Sequence, residues 1–194
     1  MDEQELEVEV MVKGVSDLLK PSSSHALILE EVNCDRRCLA VIIGDREAKD
    51  IRMAMARYKT PRPLTVELML DIMNEGGITV NKAVIYKVKD GIYYSYIYLT
   101  RKNDGYEFKV DSRTTDALVL SLKAGFPVYV YDSILANERL YSVTPDGSGF
   151  SLSLNAVGTE LLKTNLEAAI KNEDYEKAAQ LRDEIARREK GCEE

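Results

Sequence analysis

Two Asp-Gly dipeptides, Asp90-Gly91 and Asp104-Gly105, separate the apolar stretches Ile78 to Val88, Ile92 to Leu99 and Tyr106 to Val110. Asp-Gly between alternating hydrophobic residues is a strong two-residue hairpin signal, because both central positions of that turn need positive φ. The spacing predicts three consecutive strands joined by hairpins. A polar turn follows, Asp111-Ser112-Arg113-Thr114-Thr115-Asp116, and then Ala117 to Ala124, an apolar run that reads as a buried helix. Gly125-Phe126-Pro127 ends it, and Val128 to Asp132 reads as a further strand.

The first part of the chain carries the same order more faintly. Val8, Val10 and Val12 alternate with polar neighbours as in a half-buried strand, and Gly14 to Ser24 reads as a loop. His25 follows the run Ser22-Ser23-Ser24 and is expected in that loop. Ala26 to Val32 and Leu39 to Ile43 form a predicted hairpin. Ala48, Ile51, Met55 and Tyr58 then fall at helical spacing, with Arg46, Lys49 and Arg52 off the apolar stripe. Pro61 and Pro63 stop that helix. Thr65 is the expected cap of a second one, with Leu68, Met69, Ile72 and Met73 on one side and Gly76-Gly77 at its end. Three strands then a helix thus occur twice, with Glu47-Ala48 and Asp116-Ala117 at similar places. The expected fold class is α+β: a mixed-sheet domain of two pseudo-related β-β-β-α halves.

Beyond Asn137 the pattern thins, and Asp146-Gly147-Ser148-Gly149 reads as a flexible connection. Leu162, Leu166, Ala169 and Ile170, then Tyr175, Ala178, Leu181 and Ile185, mark two amphipathic helices broken at Asn172 to Asp174, an antiparallel hairpin by the shortness of its turn. The expected division is a main domain over 1–137, a linker over 138–159 and the helical hairpin over 160–190. So small a hairpin has little core and is expected to pack on the main domain, on a second copy of the chain or on a protein partner, with Leu166, Tyr175, Leu181 and Ile185 supplying its internal or partner contacts.

The 194 residues carry a net charge of −7, which argues against gripping nucleic acid with the whole surface. Between Arg36 and Arg62, however, eight basic residues stand against three acids, a segment that could follow a phosphate backbone or simply face solvent. No apolar run is long enough to span a membrane, and a cytoplasmic location is expected by default. Three cysteines and one histidine favour thiols over a disulfide framework or structural zinc. Asp111 and Asp116 bracket Arg113 at a helix start, where unpaired N–H groups and the helix dipole favour anions. That cluster is either a chemical site or an ordinary helix start, capped by Thr114 or Thr115, with Arg113 paired to one acid.

Several segments together resemble a known family. Ala26 to Glu30, Ile43-Gly44 with Glu47-Ala48, Pro61-Arg62-Pro63-Leu64-Thr65, Tyr94-Ser95 and Asp111 to Ala117 match, in order and spacing, the bifunctional nuclease family of small DNase and RNase domains. Leu166, Ala169, Ile170, Glu173-Asp174-Tyr175, Ala178-Ala179, Leu181, Arg182 and Asp183 resemble the UVR motif, a helical hairpin for protein contacts. One departure stands out. Where that family usually reads Arg-Pro-Leu-Thr-His-Asp, this chain has Arg62-Pro63-Leu64-Thr65-Val66-Glu67. The resemblance implies hydrolysis of phosphodiesters; that chemistry requires an activated water and neutralised charge at phosphorus, and Mg²⁺ or Mn²⁺ held by carboxylates can supply both. Asp111 and Asp116 are the first candidates for the metal, Glu47 and Glu67 the second acids. Arg62 and Arg113, with Arg46, Lys49 and Arg52, are the candidates for binding nucleic-acid phosphate. The competing expectation is an adaptor without catalysis.

Overall fold

The structure is a computed structural model, and it describes residues 5–16, 24–32, 37–138, 141–142, 150–151, 159–171 and 174–190. Three strands open the chain, β1 (Glu7–Val15), β2 (Ser24–Glu31) and β3 (Cys38–Gly44), and β3 runs directly into helix α1 (Asp45–Met55). Helix α2 (Thr65–Glu75) leads into β4 (Ile78–Lys89), β5 (Ile92–Arg101) and β6 (Tyr106–Arg113), and β6 runs directly into α3 (Thr114–Ala124). Strand β7 (Val128–Tyr131) and the short α4 (Asp132–Asn137) complete this part. All seven strands form one mixed sheet in the order β3-β2-β1-β7-β4-β5-β6, with β7 parallel to β4 and antiparallel to β1.

The turns follow their chemistry. Asp90 and Gly91 both adopt positive φ between β4 and β5, as a two-residue hairpin turn requires, whereas β5 and β6 are joined by the four residues 102–105, in which Gly105 has positive φ and Asp104 does not. Gly125 ends α3 in the left-handed conformation, which costs a residue without Cβ little. Alternation along β5 places Tyr93, Ser95, Ile97 and Leu99 on the buried side, and α1 and α3 cover that side through Ala48, Ile51, Ala117 and Leu118. On the opposite pleat Tyr96 stacks on Tyr86 at 4.1 Å between centroids, with the Lys109 ammonium 4.0 Å above the Tyr96 ring.

The Tyr93 hydroxyl donates to the Ala40 carbonyl at 3.3 Å, although four strands stand between β5 and β3 in the sheet order. In a flat sheet five spacings of about 4.8 Å would separate them by roughly 24 Å, beyond the reach of a tyrosine. The sheet therefore curls round its core, and α1, which follows one end strand, packs against α3, which follows the other.

Three sequence expectations are corrected. His25 is not in a loop: it pairs with Ile43 inside β2 and is buried, 6% exposed, because both ring nitrogens find partners there. Thr65 is the first helical residue of α2 and not its cap; Leu64 holds the cap position, and its N–H is satisfied by the Glu67 carboxylate at 2.9 Å. On α2 itself Val66, Leu70 and Met73 face the core, while Leu68, Met69 and Ile72 are exposed, since the helix lies on the sheet by a different stripe from the one its most apolar residues suggest.

Within the segment read as a linker, β8 (Tyr141–Ser142) pairs antiparallel with β9 (Phe150–Ser151). The run Asp146 to Gly149 lies outside the described residues. Helices α5 (Thr159–Lys171) and α6 (Tyr175–Lys190) pack on each other through Leu162, Ala169, Ala178, Leu181 and Ile185, with Leu166 partly buried against them. Tyr175 points to solvent, 69% exposed.

Candidate functional site

Arg113 is the last residue of β6 and the N-cap of α3, with an extended backbone. Its Nε donates to Asp116 Oδ2 at 2.7 Å and its Nη2 to Asp116 Oδ1 at 2.9 Å, a two-pronged pair across the first turn of α3. Its Nη1 reaches Glu47 Oε1 of α1 at 3.4 Å. The adjoining Asp116 carboxylate, more than Glu47, raises the guanidinium's pKa above its ordinary value. The Arg113 side chain is nonetheless 69% exposed. Gly44 precedes α1, and a Cβ there would come 2.9 Å from Glu47 Oε2, so the glycine leaves room for that carboxylate to fold back.

These groups border a cleft of about 730 Å³. Arg46, Glu47, Asp50 and Met53 of α1 form one wall, with Leu64 to Glu67 and Met69 along α2. Val110 to Arg113 of β6 and Thr115, Asp116, Val119 and Lys123 of α3 line the rest. The curl of the sheet makes the cleft, since it sets the start of α1 beside the start of α3.

Not every sequence candidate acts here alike. Glu67 is in the wall, but its Oε1 accepts from Lys123 Nζ at 2.8 Å and its Oε2 from the Leu64 N–H at 2.9 Å. The Lys123 hydrogen bond, and then the Leu64 one, lower its pKa below the ordinary carboxylate value. It ties α2 to α3. Asp111 stands opposite Tyr96 in the ladder, which turns its side chain to the pleat away from the helices, and Tyr86 Oη donates to its Oδ1 at 3.4 Å. Asp111 therefore borders the cleft from the rim while Asp116 faces Arg113.

Among the basic candidates, Arg46 and Arg113 line the cleft, whereas Lys49, Arg52 and Arg62 do not. Arg52 donates to the Ser16 carbonyl at 2.6 Å, beside the buried His25, whose Nε2 lies 2.8 Å from Asp45 Oδ1. Arg37, also counted in the basic segment, bridges Glu31 and Asp132 at 2.8 Å each. Both cations thus make contacts within the fold and outside the cleft. Arg36 lies outside the described residues. The sequence reasoning passed over Asp50 and Lys123. The i, i+4, i+7 spacing of Arg46, Asp50 and Met53 was a usable signal for the first, and the two helical turns from Asp116 to Lys123 for the second.

The donor set does not fit a resident divalent ion in this arrangement. Among the described residues no three or more His, Cys, Asp or Glu side chains are grouped to hold a metal. Asp116 and Glu47 share one guanidinium, and Asp111 faces the other pleat. What the arrangement offers is an exposed arginine at a helix start, flanked by two carboxylates from two helices.

Among known proteins, a family model described as the bifunctional nuclease domain matches residues 27–142. A model described as the UvrB/uvrC motif matches residues 159–190. Two proteins of Mycobacterium tuberculosis, named as uncharacterized proteins MT1877 and Rv1829, are each 31% identical over 140 residues, spanning 72% of this chain and 80% of theirs.

Proposed function

The chain belongs to the bifunctional nuclease domain family, and from that membership we propose that it hydrolyses phosphodiester bonds of DNA, RNA or both at the cleft centred on Arg113. The observation that carries this reading is the exposed guanidinium at the start of α3, where helix dipole and unpaired N–H groups also favour an anion. A phosphate taking over the contacts of Arg113 would release Asp116 and Glu47, leaving a carboxylate to accept a proton from the attacking water.

Electrostatics sets a condition on that chemistry. Five carboxylates line the cleft (Glu47, Asp50, Glu67, Asp111, Asp116) against three cations (Arg46, Arg113, Lys123). Such an excess repels a polyanion unless a counter-cation accompanies it. The test is incubation of the full chain with single- and double-stranded DNA and RNA, with Mg²⁺, with Mn²⁺ and with a chelator, beside the Arg113→Ala variant. Cleavage lost in Arg113→Ala supports the assignment, and cleavage at the parent rate in that variant overturns it.

A second reading, a nucleic-acid-binding adaptor without catalysis, is favoured by Val66. It lines the cleft where the family's usual pattern has histidine, and it cannot move a proton. No cleavage of any of the four substrates, together with retained binding, would select it. On either reading residues 1–137 form the nuclease-like unit with two related β-β-β-α blocks, and 138–159 connect it to a UvrB/uvrC-type hairpin at 160–190. Mutual burial of Leu181 and Ile185 with α5, and exposure of Tyr175, support an antiparallel hairpin that takes a protein partner through its outer surface. The cytoplasm is the expected location.

A further inference from the structure

We propose that two copies of this chain join edge to edge through β6, antiparallel, with Val110 opposite Val110. The inference is independent of whether the cleft cleaves nucleic acid.

The two ends of the sheet are treated differently. At the β3 end Leu39, Ala40 and Val41 are buried. At the β6 end Val110 is 48% exposed and Tyr106 is exposed too, on a strand of eight residues without proline. An end strand of that length with exposed apolar side chains is a template for another strand unless something blunts it. The apolar surface continues on α2, where Leu68 and Ile72 are exposed and Met69 lines the same cleft as Val110.

The occupant follows from the charges of β6 itself. A closed two-fold joint between identical strands keeps both sheets the same way up, so some residue must stand opposite itself. Centring on Val110 sets Lys109 opposite Asp111 of the second copy and Glu107 opposite its Arg113, each pairing occurring twice. Opposite charges directly across an antiparallel pair stabilise it, and like charges destabilise it. Centring on Lys109 would instead face Lys109 with itself and Glu107 with Asp111. Centring on Asp111 would face Asp111 with itself and Lys109 with Arg113. Centring on Phe108 would retain only the Glu107–Lys109 pairing, and Phe108 is already packed into its own core. In the Val110 register the C-terminal ends of both β6 strands, with Arg113, lie at the joint, so the two clefts flank it.

The full chain in sedimentation velocity should show twice the mass of 21.8 kDa. Lys109→Glu sets like charges opposite each other at two places and should return the monomer. Lys109→Glu with Asp111→Lys exchanges the charges and should restore the dimer. Val110→Cys should cross-link on oxidation, above the background of the unsubstituted chain, and Phe108→Cys should not. A monomeric parent chain at about 100 µM, well above the micromolar range of an ordinary specific contact, would overturn the proposal. So would a dimer indifferent to Lys109→Glu, failure of the double exchange to restore it, or cross-linking through Phe108→Cys and not Val110→Cys.

Discussion

Of the three places among the described residues where a strand runs directly into a helix, two follow the end strands of the sheet, and both of these carry an acid in the first helical turn. At the β3–α1 junction Asp45 pairs with His25, a buried imidazole whose Nδ1 lies 2.9 Å from the Ser16 carbonyl, to which Arg52 also donates. At the β6–α3 junction Asp116 pairs with Arg113, whose side chain opens on the cleft. The local design is the same and the helix dipole favours the acid in both. The partner makes the difference. A histidine fixed inside a strand closes the first junction into the fold, whereas an arginine at the strand's last residue leaves the second open to a ligand.

The largest effect expected from this contrast is at the open junction. Arg113→Ala should lower cleavage about a hundredfold or more, as loss of a positioned donor to a developing charge does, measured as turnover on the best of the four substrates. Its stability should change by no more than about 1 kcal/mol, because exposed ion pairs contribute little. A variant that unfolds while its remaining folded fraction cleaves normally would make Arg113 the structural junction. At the closed junction the effect should reverse: His25→Ala should cost about 1 to 3 kcal/mol in urea unfolding, since it removes a buried imidazole together with its contacts to Asp45 and the Ser16 carbonyl. Cleavage by the folded variant should stay near the parent rate.

A third helix start sharpens the comparison through pH. Glu67 has a folded pKa held below its ordinary 4.5 by Lys123 and the Leu64 N–H. Its contribution is therefore present above the unfolded pKa and is lost as pH falls through the folded one. Glu67→Gln should flatten the acid side of the stability profile below about pH 4.5, measured by thermal unfolding at successive pH values. A steeper acid limb in the variant would contradict the sign. The smallest effect should come from Gly44→Ala. Its φ of −79° suits any residue, and the Cβ meets only the movable end of Glu47. A cap change of this kind costs about 0.5 to 1 kcal/mol, but the resonance of the Arg113 Nη1 protons, which face Glu47, should shift as that carboxylate turns away. An unchanged resonance would show that Glu47 and Arg113 are not in contact in solution.

Much of the fold was legible because its signals are local. Asp-Gly turns, the alternating valines of β1, and the glycines that stop α2 and α3 act within a few residues, and the element order follows from them. Asp111 was legible in part. Val110 and Ser112 line the cleft, and the period of two sends the residue between them the other way. His25 was hidden because a run of three serines reads as loop, while its strand is stabilised by partners at Ser16 and Asp45 that no local window contains. The apolar residues of α2 gave its face wrongly, because only the sheet beneath it decides which stripe is buried.

The sequence by itself determined the order of β1 to β7 along the chain, the glycine-bearing turns and the nearness of Arg113 to Asp116, since residues three apart at a helix start are neighbours on its surface. Only the tertiary structure decided that Glu47, 66 positions earlier, would stand at the same guanidinium. That contact exists because the twist of seven strands accumulates into a curl and brings the two junctions together.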